Sequence, residues 1–374
     1  MWLAVAVLEW VALVALLRRL GPARHRPAPD QPRAHQAGEP TATVLVASLD
    51  EVARIGPLLD GLRAQDGAMA RALCIDSNST DGTRALIARA AEHDARLELH
   101  TDPPLADGWI GKAWALQHGA MLADTEWVIG LDADTEPAPG LVGALLARAV
   151  DDRLDFASYG PRFVQTSAAE RWVQPALLTT LIYRTGGGAT PNTDPEHVLA
   201  NGQCWIARRS VLLAHGGFEP VRASFAEDVS LARHLARRGA RVAFLDGAAL
   251  YRVRAYTGFQ QMWREWGRSI DLKDARTPIG QLGDLALLIG AQAAPWLIAP
   301  LALRAGVVAA LAPAVILLGF RPMILTAARG SYEQRGLPFW LSPLADLLAV
   351  GRVLWSSVRR PARWRSRGYP EKSR

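Results

Sequence analysis

Apolar residues are distributed unevenly along the chain, and their spacing changes character twice. Residues 1–17 are apolar except for Glu9 and run into Arg18-Arg19. From 42 to about 150, short apolar runs alternate with stretches of helical spacing. The runs at 43–47, 73–75, 97–100 and 127–131 read as buried strands, and 55–64, 83–92 and 112–122 as helices. Strands separated by helices of that length predict βαβ units and a parallel sheet, so the fold class is α/β. Between 151 and 280 the pattern is mixed and more aromatic. Long apolar stretches return at 285–303, at 307–318 with an extension toward 328, and at 339–358. They suit membrane segments better than core helices, since a span needs about 20 apolar residues. The last contains Asp346 and Arg352 and reads as interfacial or re-entrant. The expected organisation is an N-terminal membrane anchor (1–20), a Pro- and Arg-rich linker (21–40) and an α/β domain (41–280). C-terminal membrane or interfacial helices (281–358) and a basic tail (359–374) follow.

Charge sharpens this picture. The chain carries 42 Lys+Arg against 36 Asp+Glu, and the basic excess is almost all arginine. Arg18, Arg19, Arg24, Arg26 and Arg33 follow the first apolar segment; Arg359, Arg360, Arg363, Arg365 and Arg367 follow the last. Basic clusters beside apolar stretches mark the cytoplasmic side of a membrane. Aromatic-interleaved basic repeats are missing, so nucleic acid is not an expected partner. The positives follow the first apolar run rather than precede it, which favours an uncleaved anchor over a signal peptide. Cys74 and Cys204 imply no disulfide framework.

Candidate chemistry collects where strands end. Asp132-Ala133-Asp134 follows the strand at 127–131, and ligands bind at that edge of an open α/β sheet. Two carboxylates there suit Mg²⁺ or Mn²⁺, although Asp is also common in strand-end turns. Asp76 sits at the tip of the second strand, where it can accept from a base or a ribose hydroxyl; Ser79 to Asp81 read as capping residues. Lys112, after Gly108-Trp109-Ile110-Gly111, can meet a phosphate at a helix start or stand solvated. Glu227-Asp228 opens a helix, so Asp228 is a cap or a general base. The stretch 260–268 holds Gln261, Trp263 and Arg264; it suits sugar, lipid or phosphate contacts, or an interfacial amphipathic helix.

Five stretches, in order, resemble the inverting family 2 glycosyltransferases of GT-A fold: 46–51, 76–83, 108–112, 132–134 and 227–228. The resemblance covers roughly residues 40–275. It implies that Glu51, Asp76, Lys112 and Asp132 bind a nucleotide-diphospho-sugar, foremost a UDP-sugar. It implies that Asp134, with Asp132, holds a divalent metal on the diphosphate and that Asp228 is the catalytic base. Asn201-Gly202-Gln203-Cys204-Trp205 looks like the acceptor-side strand, which puts Gln203 and Trp205 on the acceptor side with Gln261, Trp263 and Arg264. Processive members carry Gln-x-x-Arg-Trp; here Glu265 follows Arg264 and Trp266 comes one place late, which suits transfer of a single sugar. Ala47 and Asp50 replace the family's usual proline and asparagine without removing a catalytic group.

The Gly-Trp-x-Gly-Lys stretch together with terminal membrane segments looks like the branch that glycosylates lipids. Within it the chain is most similar to carotenoid 2′-O-glycosyltransferases. Hopanoid- or polyprenyl-phosphate-directed transfer is the alternative, and a non-catalytic membrane scaffold that keeps the fold is the rival from another class. The expected location is the inner, cytoplasmic membrane, with the catalytic domain and C-terminal tail facing the cytoplasm and the membrane segments delivering a water-insoluble acceptor.

Overall fold

The computed structural model describes residues 1–21 and 28–358, apart from 189, 192, 255, 257 and 271, together with the backbone of 363–364 and 367–368. The expected basic tail thus lies outside the described residues except for that backbone, as do Arg24 and Arg26.

The chain opens with helix α1 (Trp2–Leu20). An alternating run follows: β1 (Ala42–Ser48), α2 (Gly56–Arg63), β2 (Met69–Asp76), α3 (Thr83–His93), β3 (Leu97–Thr101), α4 (Gly111–Leu122) and β4 (Trp127–Leu131). Next come β5 (Thr135–Pro137), α5 (Leu141–Asp151), β6 (Phe156–Gly160), β7 (Arg162–Phe163) and α6 (Ala168–Thr185). Then follow β8 (Cys204–Arg208), α7 (Arg209–Ala214), α8 (Glu227–Arg237), β9 (Val242–Asp246) and β10 (Tyr251–Val253). The rest is helical: α9 (Phe259–Ser269), α10 (Pro278–Leu288), α11 (Pro295–Ala305), α12 (Val308–Ala328), α13 (Gly336–Trp340) and α14 (Asp346–Ser357).

Two compact units emerge. The sheet unit holds Pro27–Phe163 and Ala189–Ala255; the helical unit holds Met1–Arg26, Val164–Gly188 and Tyr256–Arg360. This divides the chain differently from a single domain at 41–280. Residues 168–185 leave the sheet unit because α6 buries Val173, Ala176, Leu177 and Tyr183 in the helical core. The described part of the expected linker, 28–40, is also held. The Asp30 amide donates to the Asp246 carbonyl at 3.3 Å and that of Arg33 to Gly140 at 3.0 Å. The Arg148 guanidinium meets the Asp30 carboxylate at 2.6 Å.

In the sheet unit seven strands lie in the order β3-β2-β1-β4-β8-β6-β9. β8 runs antiparallel to both its neighbours, and the remaining pairs are parallel. β1 is Ala-Thr-Val-Leu-Val-Ala-Ser and is buried almost throughout, as a strand covered on both faces must be. Its core joins Val44 and Val46 to Leu58, Leu62, Ile129 and Leu145. The strand order reverses between β1 and β4, and ligands bind outside the carboxyl ends at such a switch point. A small second sheet, β5-β10-β7, grips the chain just after Asp134.

In the helical unit α6 starts with a capping box, Ser167 with Glu170. The stretch expected as one span at 285–303 is a bent pair. A π-turn at Ile289–Ala293 separates α10 from α11, and the two cross at 50°. Pro295 lacks the N–H that would continue the ladder, so the helix breaks there. Only α12, with its continuation to Ser331, is by itself long and apolar enough among the described residues to cross a membrane; the bent pair qualifies together. α1 carries Glu9 and ends in Arg18 and Arg19, and does not qualify. The stretch at 339–358 breaks into α13, a short turn and α14, whose 12 residues are too few to span. At the unit's centre Arg321 Nε meets Asp346 Oδ2 at 2.6 Å, both side chains almost wholly buried. Gln292 (2.9 Å) and Trp296 (3.3 Å) also donate to Asp346, and Arg321 Nη1 donates to Thr179 Oγ1 at 2.6 Å.

Candidate active site

The carboxyl ends of β1, β2 and β4 bring four of the expected residues to one edge of the sheet unit. Ser48, which ends β1, lies in register with Asp76, which ends β2, and Asp76 with Thr101, which ends β3. Asp76 is fully buried. Its Oδ1 accepts from Ser48 Oγ (3.2 Å) and Ser79 Oγ (2.5 Å); its Oδ2 accepts from the Ser79 amide (2.9 Å) and Arg84 Nη1 (3.0 Å). A carboxylate offers about four acceptor positions, and all of Asp76's are taken by the chain itself. That departs from the expectation that Asp76 accepts directly from a base or ribose. Glu51 is also buried and engaged: Arg54 reaches its Oε2 at 2.8 Å, and its amide donates to Thr83 Oγ1 at 2.8 Å.

Asp132 and Asp134 follow β4 in a turn fixed from both sides. The Asp132 amide donates to the Gln203 carbonyl at 3.1 Å, and the Asp132 carbonyl accepts from the amide (3.1 Å) and hydroxyl (2.8 Å) of Thr135. Both aspartates keep partial exposure. Before them Gly130 has a close neighbour, since a Cβ there would stand 2.1 Å from the Trp205 ring. Trp205 is only 3% exposed and packs against Phe156 and Phe218. The acceptor-side expectation for Trp205 therefore fails: its ring covers Gly130 in the core. Gln203 does lie at the edge, its Oε1 accepting from Asn201 Nδ2 at 3.0 Å.

The centre of the site is a lysine among carboxylates. Lys112, at the start of α4, puts Nζ 2.8 Å from Asp132 Oδ1 and 2.8 Å from Glu227 Oε1. Burial alone would lower the ammonium's pKa, but the charges of Asp132, Glu227 and Asp228 outweigh it and hold Lys112 above its ordinary value. Asp228, next along α8, is aimed by two backbone amides: Gly202 donates to Oδ2 at 2.6 Å and Val229 to Oδ1 at 2.8 Å. Burial, then the charge of Glu227, pushes the Asp228 carboxyl up to about 7, while Lys112 and the two amides pull the other way. A carboxylate poised near neutral pH is suited to general-base work. Gly202 leaves room for this cluster: a Cβ there would lie 2.9 Å from Lys112 Nζ and 3.4 Å from Asp228.

Glu227 as a lysine partner, and Gly202 and Arg84, were not singled out by sequence reasoning. The pair Glu227-Asp228 is visible in the sequence as a helix start and as one of the five resembling stretches, but nothing there assigns Glu227 a partner. Gln261, Trp263 and Arg264 belong to α9 of the helical unit. There Gln261 donates to Glu265 at 3.2 Å, Trp263 stacks with Phe259, and Arg264 is strongly exposed.

No cluster of three or more His, Cys, Asp or Glu suited to a metal occurs among the described residues. Two carboxylates at a strand end still fit a hard cation that keeps water and phosphate oxygens as its other ligands. Asp134 and the Asp132 oxygen not engaged by Lys112 are such a donor pair.

Residues 43–216 match the family model described as Glycosyl transferase family 2. No curated protein matches the sequence. Among solved structures the mannosyltransferase PcManGT from Pyrobaculum calidifontis, in complex with GDP-Man and Mn2+, aligns with a TM-score of 0.54 and 21% identity, over 94% of this chain and 97% of that one. S. aureus TarS aligns with a TM-score of 0.43 and 15% identity, over 82% of this chain and 55% of that chain. Glucosyl-3-phosphoglycerate synthase from Mycobacterium tuberculosis, with Mn2+, UDP and glucosyl-3-phosphoglycerate, gives 0.39 and 19%, over 72% and 87%. The first likeness shows a shared mixed α/β fold of the GT-A kind; the other two are too distant to argue from.

Proposed function

We propose, from the match of residues 43–216 to the Glycosyl transferase family 2 model and from the geometry of the site, that the chain transfers one sugar from a nucleotide-diphospho-sugar to the hydroxyl of a hydrophobic lipid, with inversion. The observation that carries this is the Lys112 ammonium held between Asp132 and Glu227 beside Asp228. One group faces a leaving diphosphate and its neighbour takes a proton. Lys112 offsets the negative charge that grows on the diphosphate as its bond to the anomeric carbon breaks. Asp228, in its carboxylate form, accepts the proton of the acceptor hydroxyl, whose oxygen attacks the opposite face of the sugar. Asp134 with Asp132 would hold a divalent cation, which when bound adds further positive charge against the diphosphate. Gln203 stands beside Asp132, where it can orient sugar or acceptor.

The acceptor we propose is a hydroxylated carotenoid, and the donor a UDP-sugar. A membrane acceptor is supported by the helical unit, whose exposed surface includes Leu3, Val7, Leu297, Leu301, Val315 and Trp355. Large apolar side chains exposed in this number suit a partner or a membrane. Arg18 and Arg19 at the end of α1 support a cytoplasmic orientation at the inner membrane. Full-length protein in lipid nanodiscs, given UDP-sugars, a hydroxylated carotenoid and Mn²⁺, should yield a product heavier by one sugar with the inverted anomeric signal by NMR. Chelator should stop the reaction. Polymeric product, preference for polyprenyl phosphate, or nucleotide binding without turnover would each defeat the proposal.

A further inference from the structure

Asp76 presents a puzzle that its neighbours resolve. It ends β2 at the ligand edge, yet its carboxylate is fully buried and saturated by Ser48, Ser79 and Arg84. Arg84 differs. It stands in the first turn of α3 and its side chain is 39% exposed. A single nitrogen, Nη1, makes both of its bonds, to Asp76 Oδ2 at 3.0 Å and to Thr101 Oγ1 at 2.9 Å. A guanidinium has five N–H donors in a fixed plane, so most of its donors are uncommitted while its orientation is set. Asp76 and Thr101 are register partners at the ends of adjacent strands, so the anchor for Arg84 is built into the sheet.

The position along the edge says what such a donor meets. Lys112, Asp132 and Asp134 gather at β4, where the diphosphate is read to lie. On one side are β8 and Asp228, the place of the sugar and acceptor. On the other are β1, β2 and β3, which leaves the tips carrying Ser48, Asp76 and Thr101 for the nucleoside.

We propose that Arg84 is the residue that selects the donor's base, donating to a ring carbonyl, and that Asp76 acts as a positioning residue for it. This rests on the nucleotide-diphospho-sugar reading above. Bases with a carbonyl where another has an amino group are preferred: uracil over cytosine, guanine over adenine. A guanidinium can only donate, so an amino group facing it finds no partner and like polarity. Asp76, an acceptor, contributes by aiming the guanidinium.

The test is calorimetric binding of UDP, CDP, GDP and ADP to the full-length protein in detergent with Mn²⁺. Wild type should bind UDP more tightly than CDP, and GDP more tightly than ADP. Arg84→Ala should weaken the carbonyl-bearing member of each pair by roughly 10- to 10²-fold, the worth of one charge-assisted hydrogen bond, and leave CDP and ADP little changed. In turnover assays the same variant should raise donor KM and spare kcat. Asp76→Asn should narrow the UDP/CDP ratio part of the way. Thermal melts alone would follow a merely structural role; the ratio would not. An unchanged UDP/CDP ratio in Arg84→Ala overturns the inference, as does a ratio lost in Asp76→Asn and kept in Arg84→Ala. If wild type binds none of the four diphosphates, it is the donor-site reading itself that falls.

Discussion

The sheet unit and the helical unit dispose of apolar and charged groups in opposite ways. Among the described residues, the large exposed apolar side chains of the sheet unit are Val52, Met121, Leu122 and Val150; all the others are in the helical unit. The sheet unit keeps its best-formed ion cluster, Lys112 with Asp132 and Glu227, at the strand ends where a ligand can reach it. The helical unit buries its pair, Arg321 with Asp346, at 1% and 0% side-chain exposure. One unit is built for water with reactive charge at an edge. The other exposes most of the large apolar side chains and buries an ion pair between its own helices.

The largest expected effect lies in the sheet unit. Asp228→Asn should keep donor binding and lose transfer by roughly 10²–10⁴-fold, the usual cost of removing a general base. The wild-type rate should climb with pH through about 7, since burial raises the Asp228 carboxyl and only its ionised form accepts a proton. Above that the profile should flatten, and in Asp228→Asn the rising limb should vanish. A pH-rate curve of the same shape in both proteins would remove Asp228 from the base role.

In the helical unit the corresponding blow is structural. Asp346→Ala leaves Arg321 buried without its partner and should destabilise the protein by about 3–5 kcal/mol. Thermal unfolding in detergent would register it, while nucleotide affinity per folded molecule stays near wild type. Loss of nucleotide affinity without loss of stability would contradict the contrast.

A smaller effect is expected of Gly202→Ala. The new Cβ, 2.9 Å from Lys112 Nζ, displaces a flexible ammonium rather than backbone, so stability should hold. The shifted charge should lower kcat on the order of 10- to 10²-fold, as for sub-ångström to ångström misplacement of catalytic groups. The smallest effect, and the sharpest comparison, sets Val52→Lys against Leu301→Lys. Both positions are exposed apolar sites. The first should change stability and membrane partition by no more than about 0.5 kcal/mol; the second should reduce partition into liposomes measurably. Equal behaviour in flotation assays would mean the two surfaces are not different in kind.

Much of the sheet unit could be read in advance for a simple reason. β1, β4 and the second half of β2 are buried on both faces and leave continuous apolar runs, and Asp132 and Asp134 follow such a run directly. The helical unit resisted because helical periodicity shows that a face is buried but not against what. α6 looked like part of the α/β domain until Val173 and Leu177 proved to pack among helices. Trp205 misled for a related reason: an aromatic beside a site reads equally as a ligand platform or as the cover over a glycine. Arg84 gives no signal in the sequence, and Glu227 only its place beside Asp228, because their roles come from the residues they meet across the fold. The bend between α10 and α11 was legible in principle from Pro295, but an apolar window averages over it.

β8 is the one strand of its sheet that runs against the others, and this has a consequence for how the protein can diversify. Its start, at Cys204, lies opposite the end of β4, at Leu131. The proposed donor-side residues thus lie on chain that follows β1, β2, β3 and β4, whereas Gly202 and Gln203 belong to chain entering β8. The two proposed halves of the site therefore lie on separate stretches of chain. On the proposed reading, mutations that rebuild the incoming loop would retune what receives the sugar while the residues that hold the nucleotide diphosphate stay in register.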